Sequence, residues 1–177
     1  MYTKRGDKGE TDTGTGMRVT KGSHIIDAEG TIDELNSFLG FARVSTKWDD
    51  IGSDIEAIQE DLFVLGEHIT TQGTRRTLKP ERLAWLEERV TYYRKEYGKI
   101  KLFVVPGGSV ESTSLHIART VCRRLERELV KAKEEVEIPE IIEQYINRLS
   151  SVLFFHSLIS NRRLKIDERI WYLRELP

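Results

Sequence analysis

Five stretches of this chain carry apolar residues at helical spacing, with short connections between them, and that pattern limits the fold more than any other feature. In "GTIDELNSFLGFARV", Ile32, Leu35, Phe38, Leu39 and Ala42 recur three and four apart, and Thr31 with Glu34 reads as a capping box that opens the helix. The second stripe is Ile55, Ile58, Leu62, Leu65 and Ile69 within "SDIEAIQEDLFVLGEHIT". The third helix, "TLKPERLAWLEERVTYYRKEYG", has Pro80 in its first turn and Gly98 just past its end. "VESTSLHIARTVCRRLERELVKAKEE" and "PEIIEQYINRLSSVLFFHSLISNRR" supply the fourth and fifth, the latter with Pro139 near its start. Between the third and fourth, "KLFVVPGG" is too short for a helix and reads as extended chain stopped by Pro-Gly-Gly. The tail "IDERIWYLRELP" reads as a short packed turn. The expected fold class is all-α, a five-helix bundle in one domain spanning 1–177.

Composition narrows the function. The chain has 177 residues, enough to bury one core, with 28 Lys and Arg against 29 Asp and Glu. No global field draws nucleic acid or an acidic membrane, so any anion site must be a local cluster. Charged residues reach 32%, which fits long solvated helix faces or a hot habitat. No apolar run approaches the ~20 residues of a membrane span, so a soluble, cytoplasmic protein is expected. Cys122 is the sole cysteine and reads as a buried thiol. Helical bundles often hold two irons through Glu-x-x-His pairs. Here the residues three before His24, His68, His116 and His156 are Lys21, Leu65, Thr113 and Leu153, so that reading fails.

Polar residues at the edges of the stripes are the candidate chemistry. On the fourth helix Leu115, Ala118, Cys122, Leu125 and Leu129 mark the apolar line. Arg119, Arg123 and Glu126 fall together on its flank, whereas Arg124 and Glu128 point towards solvent. A half-desolvated guanidinium keeps its charge and its bidentate donors, although Arg and Glu at this spacing also form ordinary solvated pairs. Asp33 and Asn36 share one face of the first helix, with Gly40 a turn beyond. Asp33 reads either as helix-start chemistry in the first turn or as a site residue. Asn147 and Ser151 form a polar pair on the last helix, and an amide buried there would need a partner.

The opening, "MYTKRGDKGETDTGTG", holds Gly6, Gly9, Gly14 and Gly16 with almost nothing apolar. It lacks the P-loop spacing. It reads either as a disordered tail or as a phosphate clasp. In the clasp, glycine-permitted backbone N–H groups would surround an anion. Lys4, Arg5, Lys8, Arg18 and Lys21 would add charge.

Taken in order, "YTKRGDKGETD", "GTIDELNSFLG", "FVVPGGS", "ARTVCRRLER" and "YINRLSSVLFF" resemble the corrinoid adenosyltransferase family of the trimeric, five-helix-bundle kind. The resemblance spans nearly the whole chain, and the Arg-rich fourth-helix motif is its most specific part. It implies transfer of the 5′-deoxyadenosyl group of ATP to the cobalt of cob(I)alamin, with Mg²⁺, giving adenosylcobalamin and triphosphate. The implied ATP contacts are Tyr2, Thr3, Gly6, Asp7, Lys8, Gly9, Lys21, Arg119, Arg123, Glu126 and Asn147. Asp33 is implied to pair across a subunit boundary with Arg119, and Phe103 to wall the lower face of the corrin. Asp33, Arg119, Arg123 and Phe103 are the implied catalytic set, while the metal ligands stay unassigned. A homotrimer with sites between chains is implied, residues 1–24 closing as a mobile clasp over a bundle of residues 25–177.

Arg5, Glu10 and Glu29 depart from the family's usual small, hydroxyl-bearing or aromatic residues. Two other readings stay open, a non-catalytic nucleotide- or corrinoid-binding sensor or chaperone, and a structural oligomer whose arginines only bind neighbouring acids.

Overall fold

Each apolar stripe becomes a buried helix face in the computed structural model, which describes residues 4–100 and 103–171. The chain opens with an antiparallel hairpin, β1 (Glu10–Asp12) and β2 (Arg18–Thr20), Thr11 standing opposite Val19. Four long helices and one shorter one follow: α1 (His24–Ser45), α2 (Asp49–Thr71), α3 (Pro80–Tyr97), α4 (Val110–Ala132) and α5 (Glu140–Arg163). Two-residue strands β3 (Phe103–Val104) and β4 (Ile170–Trp171) pair antiparallel, so this part of the tail is extended chain, while residues 172–177 lie outside the described residues. Helix α4 packs on both α1 and α5, α2 lies against α1, and α3 lies against α5.

The core runs through every helix, from Leu35 and Leu39 through Ile55, Ile58 and Leu62 to Leu125, Leu149 and Leu153, all inaccessible to solvent. Burying each such side chain contributes about 1.5–3 kcal/mol, which dominates the intrinsic helix propensities. Gly98 ends α3 at φ 87°, a left-handed angle that suits glycine, as its place in the sequence suggests.

The capping box is misplaced. Helix α1 begins at His24, and its first amides are capped by Glu135 beyond the end of α4. His24 N–H and Ile25 N–H donate to the two Glu135 oxygens at 2.8 and 3.1 Å. That cap lies 111 positions away, so no local pattern announces it. Thr31 is therefore buried inside the helix with its hydroxyl bonded back to the Asp27 carbonyl at 2.7 Å, and Asp33 lies beyond the first turn.

The Pro-Gly-Gly stop is held by Asn161 of α5. Its Nδ2 donates to the Gly107 carbonyl at 3.0 Å and to Glu168 at 3.1 Å, while its Oδ1 accepts from Ser109 N–H at 2.9 Å. Ser109 in turn caps α4, accepting from Ser112 N–H at 3.0 Å. Gly108 sits at φ 96°, and a Cβ there would clash with the Asn161 side chain. Asn161→Ala would strand Ser109 N–H and the Gly107 carbonyl, at a cost of about 1–3 kcal/mol. We expect the calorimetric Tm to fall by roughly 2–4 °C per kcal/mol. An unchanged Tm would show that the loop is held by something else.

Candidate functional site

The flank of α4 carries the arginines without acidic partners. Arg119 is half-buried, its Nε–H donates to His116 Nδ1 at 3.4 Å, and its guanidinium carbon lies 5.9 Å from the centre of the Phe154 ring. Burial first, and then the Arg123 charge, lower its pKa below the usual arginine value. Arg123 is exposed one turn further on. Among the described residues, neither arginine makes an ion pair within its own chain, and neither does Asp33.

Glu126 and Asn147 are brought together. Asn147 Nδ2 donates to Glu126 Oε1 at 2.9 Å, and Arg148 Nη1 donates to Asn147 Oδ1 at 2.8 Å. Asn147 is exposed, not the buried amide that its helical setting suggested, because it stands at the α4–α5 edge. Arg124 keeps 43% of its side chain exposed, as its place away from the stripe suggests, but it also pairs with Glu34 of α1 across the helix contact. Glu128 is largely covered and pairs with Lys131 at 3.1 Å.

Asp33 opens onto a pocket of about 390 Å³ lined by Ile26, Glu29, Gly30, Ile32, Asn36 and Phe63. Glu29 is exposed by area, yet partial desolvation and then the Asp33 charge raise its pKa. The single chain does not bring Asp33 against Arg119.

From residue 4 onward the opening segment, read as either a disordered tail or a phosphate clasp, is a ribbon built on the β1–β2 hairpin. Gly14 is fitted to the end of α2, where an added Cβ would meet Thr71 Cγ2 at 2.8 Å and Thr70 Oγ1 at 3.0 Å. Arg18 pairs with Glu10 at 3.1 Å and Asp12 at 3.3 Å, and Arg5 reaches Asp12 at 2.9 Å. The departures Arg5 and Glu10 therefore serve the hairpin, leaving Lys4, Lys8 and Lys21 as cations without an ion pair among the described residues. Gly6 lies under Lys21, whose Nζ would be 3.0 Å from an added Cβ, and Lys21 N–H donates to the Gly9 carbonyl at 2.9 Å. Asp7 and Lys8 are exposed on the turns between Lys4 and Gly9. Tyr2 and Thr3 lie outside the described residues.

Phe103 is 75% exposed on β3. Its register partner is Trp171, 59% exposed on β4. Trp171 and Asn161 escaped the reading of the sequence because each matters through a contact with a distant residue, and the burial of His116 depends on the tertiary fold. His116 alone left a hint, standing three positions before Arg119.

A family model described as cobalamin adenosyltransferase matches residues 1–160. The chain belongs to that family. The corrinoid adenosyltransferase of Bacillus subtilis is 38% identical over 174 residues, covering 95% of this chain and 90% of the relative. The cobalamin adenosyltransferase of Cupriavidus metallidurans is 38% identical over 175 residues, covering 97% and 93%. A variant of the PduO-type ATP:corrinoid adenosyltransferase from Lactobacillus reuteri, solved with cobalamin and ATP, superposes with a TM-score of 0.91 at 29% identity. It covers 97% of this chain and 96% of that one. No helix among the described residues of this family member is long and apolar enough to cross a membrane.

His116 makes the flank sensitive to acid. Burial, with the Arg119 charge adding to it, pushes the imidazole down to about 4. The unfolded chain, with histidine near 6.5, then takes up this proton first, so the stability contribution is whole above about 6.5 and lost as pH falls towards 4. In His116→Asn we expect the calorimetric Tm to fall less steeply across that window. Parallel curves would mean that the folded imidazole takes up its proton as readily as the unfolded one.

Proposed function

We infer that this family member moves the 5′-deoxyadenosyl group of ATP onto the cobalt of cob(I)alamin, releasing triphosphate. The observation that carries this reading is the pair of α4 arginines left without carboxylate partners, in a chain whose relatives are named corrinoid adenosyltransferases. In this reaction the electron pair of the reduced cobalt attacks C5′ of ATP. A Co–C bond forms as the C5′–O bond breaks, and the triphosphate leaves with that bonding pair. The substrate is its own nucleophile, so the protein's part is to position, to neutralise charge and to exclude water.

Each candidate residue has a place in that work. The turns around Gly6–Gly9, with Lys8 and Lys21, would close on the phosphates, with Tyr2, Thr3 and Asp7 completing the clasp of residues 1–24. Arg119 and Arg123 would meet the negative charge that grows on the leaving group. One such preorganised donor is typically worth about 10²–10³ in rate. Mg²⁺ takes oxygen ligands, commonly one or two carboxylates beside substrate phosphates. Glu126 fits, since Asn147 orients its carboxylate beside the arginines, and it would hold the ion. The bound ion would offset part of the triphosphate charge. Phe103 would cover the lower face of the corrin, keeping water and an axial ligand from the cobalt.

We propose that the working form is a homotrimer with three sites between chains. Asp33 and Arg119 each lack a partner within the chain, and Val44 and Phe63 are 81% and 71% exposed, which supports an interface. Asp33 of one chain would meet Arg119 of the next.

Incubation with ATP, Mg²⁺ and chemically reduced cobalamin, followed through the visible corrinoid spectrum, tests the reaction. Binding without turnover would instead favour a sensor or chaperone. Asp33→Asn and Arg119→Ala should each lower kcat/KM by about a hundredfold, roughly 2.7 kcal/mol, with the double variant little worse than either. Light scattering should give about three times the 20.5 kDa of one chain. A fully active monomer would refute the shared site. Phe103→Ala should spare ATP affinity while slowing turnover, most of all when cobalamin is reduced on the enzyme. An equal loss with pre-reduced corrinoid would reduce Phe103 to packing.

A further inference from the structure

Several interhelical arginines of the bundle spend their guanidinium on acids. Arg82 pairs with Asp61 at 2.8 Å, Arg163 holds Asp50 at 2.7 Å and Glu96 at 2.8 Å, and Arg124 holds Glu34. Arg119 differs. Its neighbours within the chain are an imidazole and a phenyl ring, and neither cancels its charge.

The chemistry of that imidazole is specific. His116 is 2% exposed on α4, with the Phe154 ring of α5 set edge-on at 6.1 Å between centroids. An imidazole nitrogen can accept from a guanidinium only when the ring is neutral, and a neutral ring has one accepting and one donating nitrogen. Nδ1 accepts from Arg119 Nε–H, so the proton of the neutral ring resides on Nε2. That Nε2 is itself buried with no partner among the described residues. The arrangement keeps the ring uncharged at neutral pH, as its depressed pKa requires, and the groups facing it are Arg119 from its own helix and the uncharged Phe154 from α5.

Geometry then decides what remains. With Nε–H tied to His116 and the guanidinium set near the Phe154 ring, the plane of the group is fixed. The paired Nη atoms, with four N–H donors, have no acceptor among the described residues, which leaves the bidentate fork for an incoming carboxylate or phosphate. A carboxylate in the place of His116 would orient Arg119 equally well, but it would compete for the guanidinium charge with the neighbouring chain's Asp33 and the substrate phosphates. We propose that His116 is a positioning residue, a neutral acceptor that aims the Arg119 fork at the anions that meet it in the ATP site, the neighbouring chain's Asp33 and the phosphates. This rests on the proposed function of that site.

Three variants test it by ATP titration calorimetry alongside steady-state kinetics. His116→Asn sets an amide oxygen where Nδ1 stood, whereas His116→Gln sets its polar end nearer Nε2, and His116→Leu keeps bulk without an acceptor. We expect the Leu and Gln variants to weaken ATP binding and raise the KM for ATP by about tenfold or more, the loss of one charge-assisted hydrogen bond. The Asn variant should stay within about threefold of the parent protein, because it restores that bond. The KM for corrinoid should be unchanged throughout. Asn and Gln are both polar and similarly costly to bury, so their ratio remains readable even if the Leu variant does not fold. Equal ATP affinities for the Asn and Gln variants, or a shift in corrinoid KM as large as that for ATP, would overturn the proposal. Failure of the parent protein to turn over would overturn the proposed reaction instead, and the ratio of ATP affinities would still report on His116.

Discussion

Two carboxylates are buried on one face of α2, and the bundle has to close around them. Asp54 and Asp61 lie seven residues apart, two helical turns, and each is less than a tenth exposed. A buried carboxylate without partners costs several kcal/mol, so its surroundings are dictated. Asp54 accepts from the Tyr93 hydroxyl of α3 at 2.8 Å, lies 3.2 Å from His156 Nε2 of α5 and has Arg89 at 3.4 Å. Asp61 accepts from the Tyr145 hydroxyl of α5 at 2.6 Å and from Arg82 of α3 at 2.8 Å. Burial, and next the facing carboxylate charge, push both tyrosine hydroxyls well above their ordinary pKa, so they remain donors. Helices α2, α3 and α5 are locked in register as a result.

That lock is what makes the flank of α4 usable. The helix that carries Tyr145 and His156 towards α2 also presents Asn147 to Glu126, Phe154 to Arg119 and Asn161 to the Pro-Gly-Gly loop. Three supports of the α4 flank and its loop therefore hang from α5. Polar networks of this kind are costly when half satisfied and specifying when complete. Substitutions at Asp54 or Asp61 would thus act on the site from a distance, by releasing α5.

The N-terminal ribbon obeys a different balance. Its ion pairs are exposed and worth little each, and a two-stranded hairpin is marginal alone. What fixes it is the close fit of Gly14 against Thr70 and Thr71, together with the buried Thr13. A segment tethered at one point and weakly held elsewhere suits a clasp that must open to release product. The departures at Arg5 and Glu10 strengthen the ribbon without taking up Lys8 or Lys21.

The five helices, their buried stripes and the extended stop before Pro-Gly-Gly were legible in the sequence, because each depends on residues within four positions of one another. The same held for the grouping of Arg119, Arg123 and Glu126, which needs only the pitch of a helix. Tertiary structure decided the rest. Helix α1 starts at His24 and not at Thr31 because its cap arrives from Glu135. Arg124 turns out paired because α1 brings Glu34 to it, and Asn147 is exposed because the edge of α5 is. Phe103 faces Trp171 through a strand register that spans the last two helices. His116 gains its role only from burial beside Phe154, which lowers its affinity for a proton and leaves a neutral acceptor next to Arg119. Periodicity records which side of a helix is dry, whereas partners, caps and proton affinities depend on what the fold sets against it.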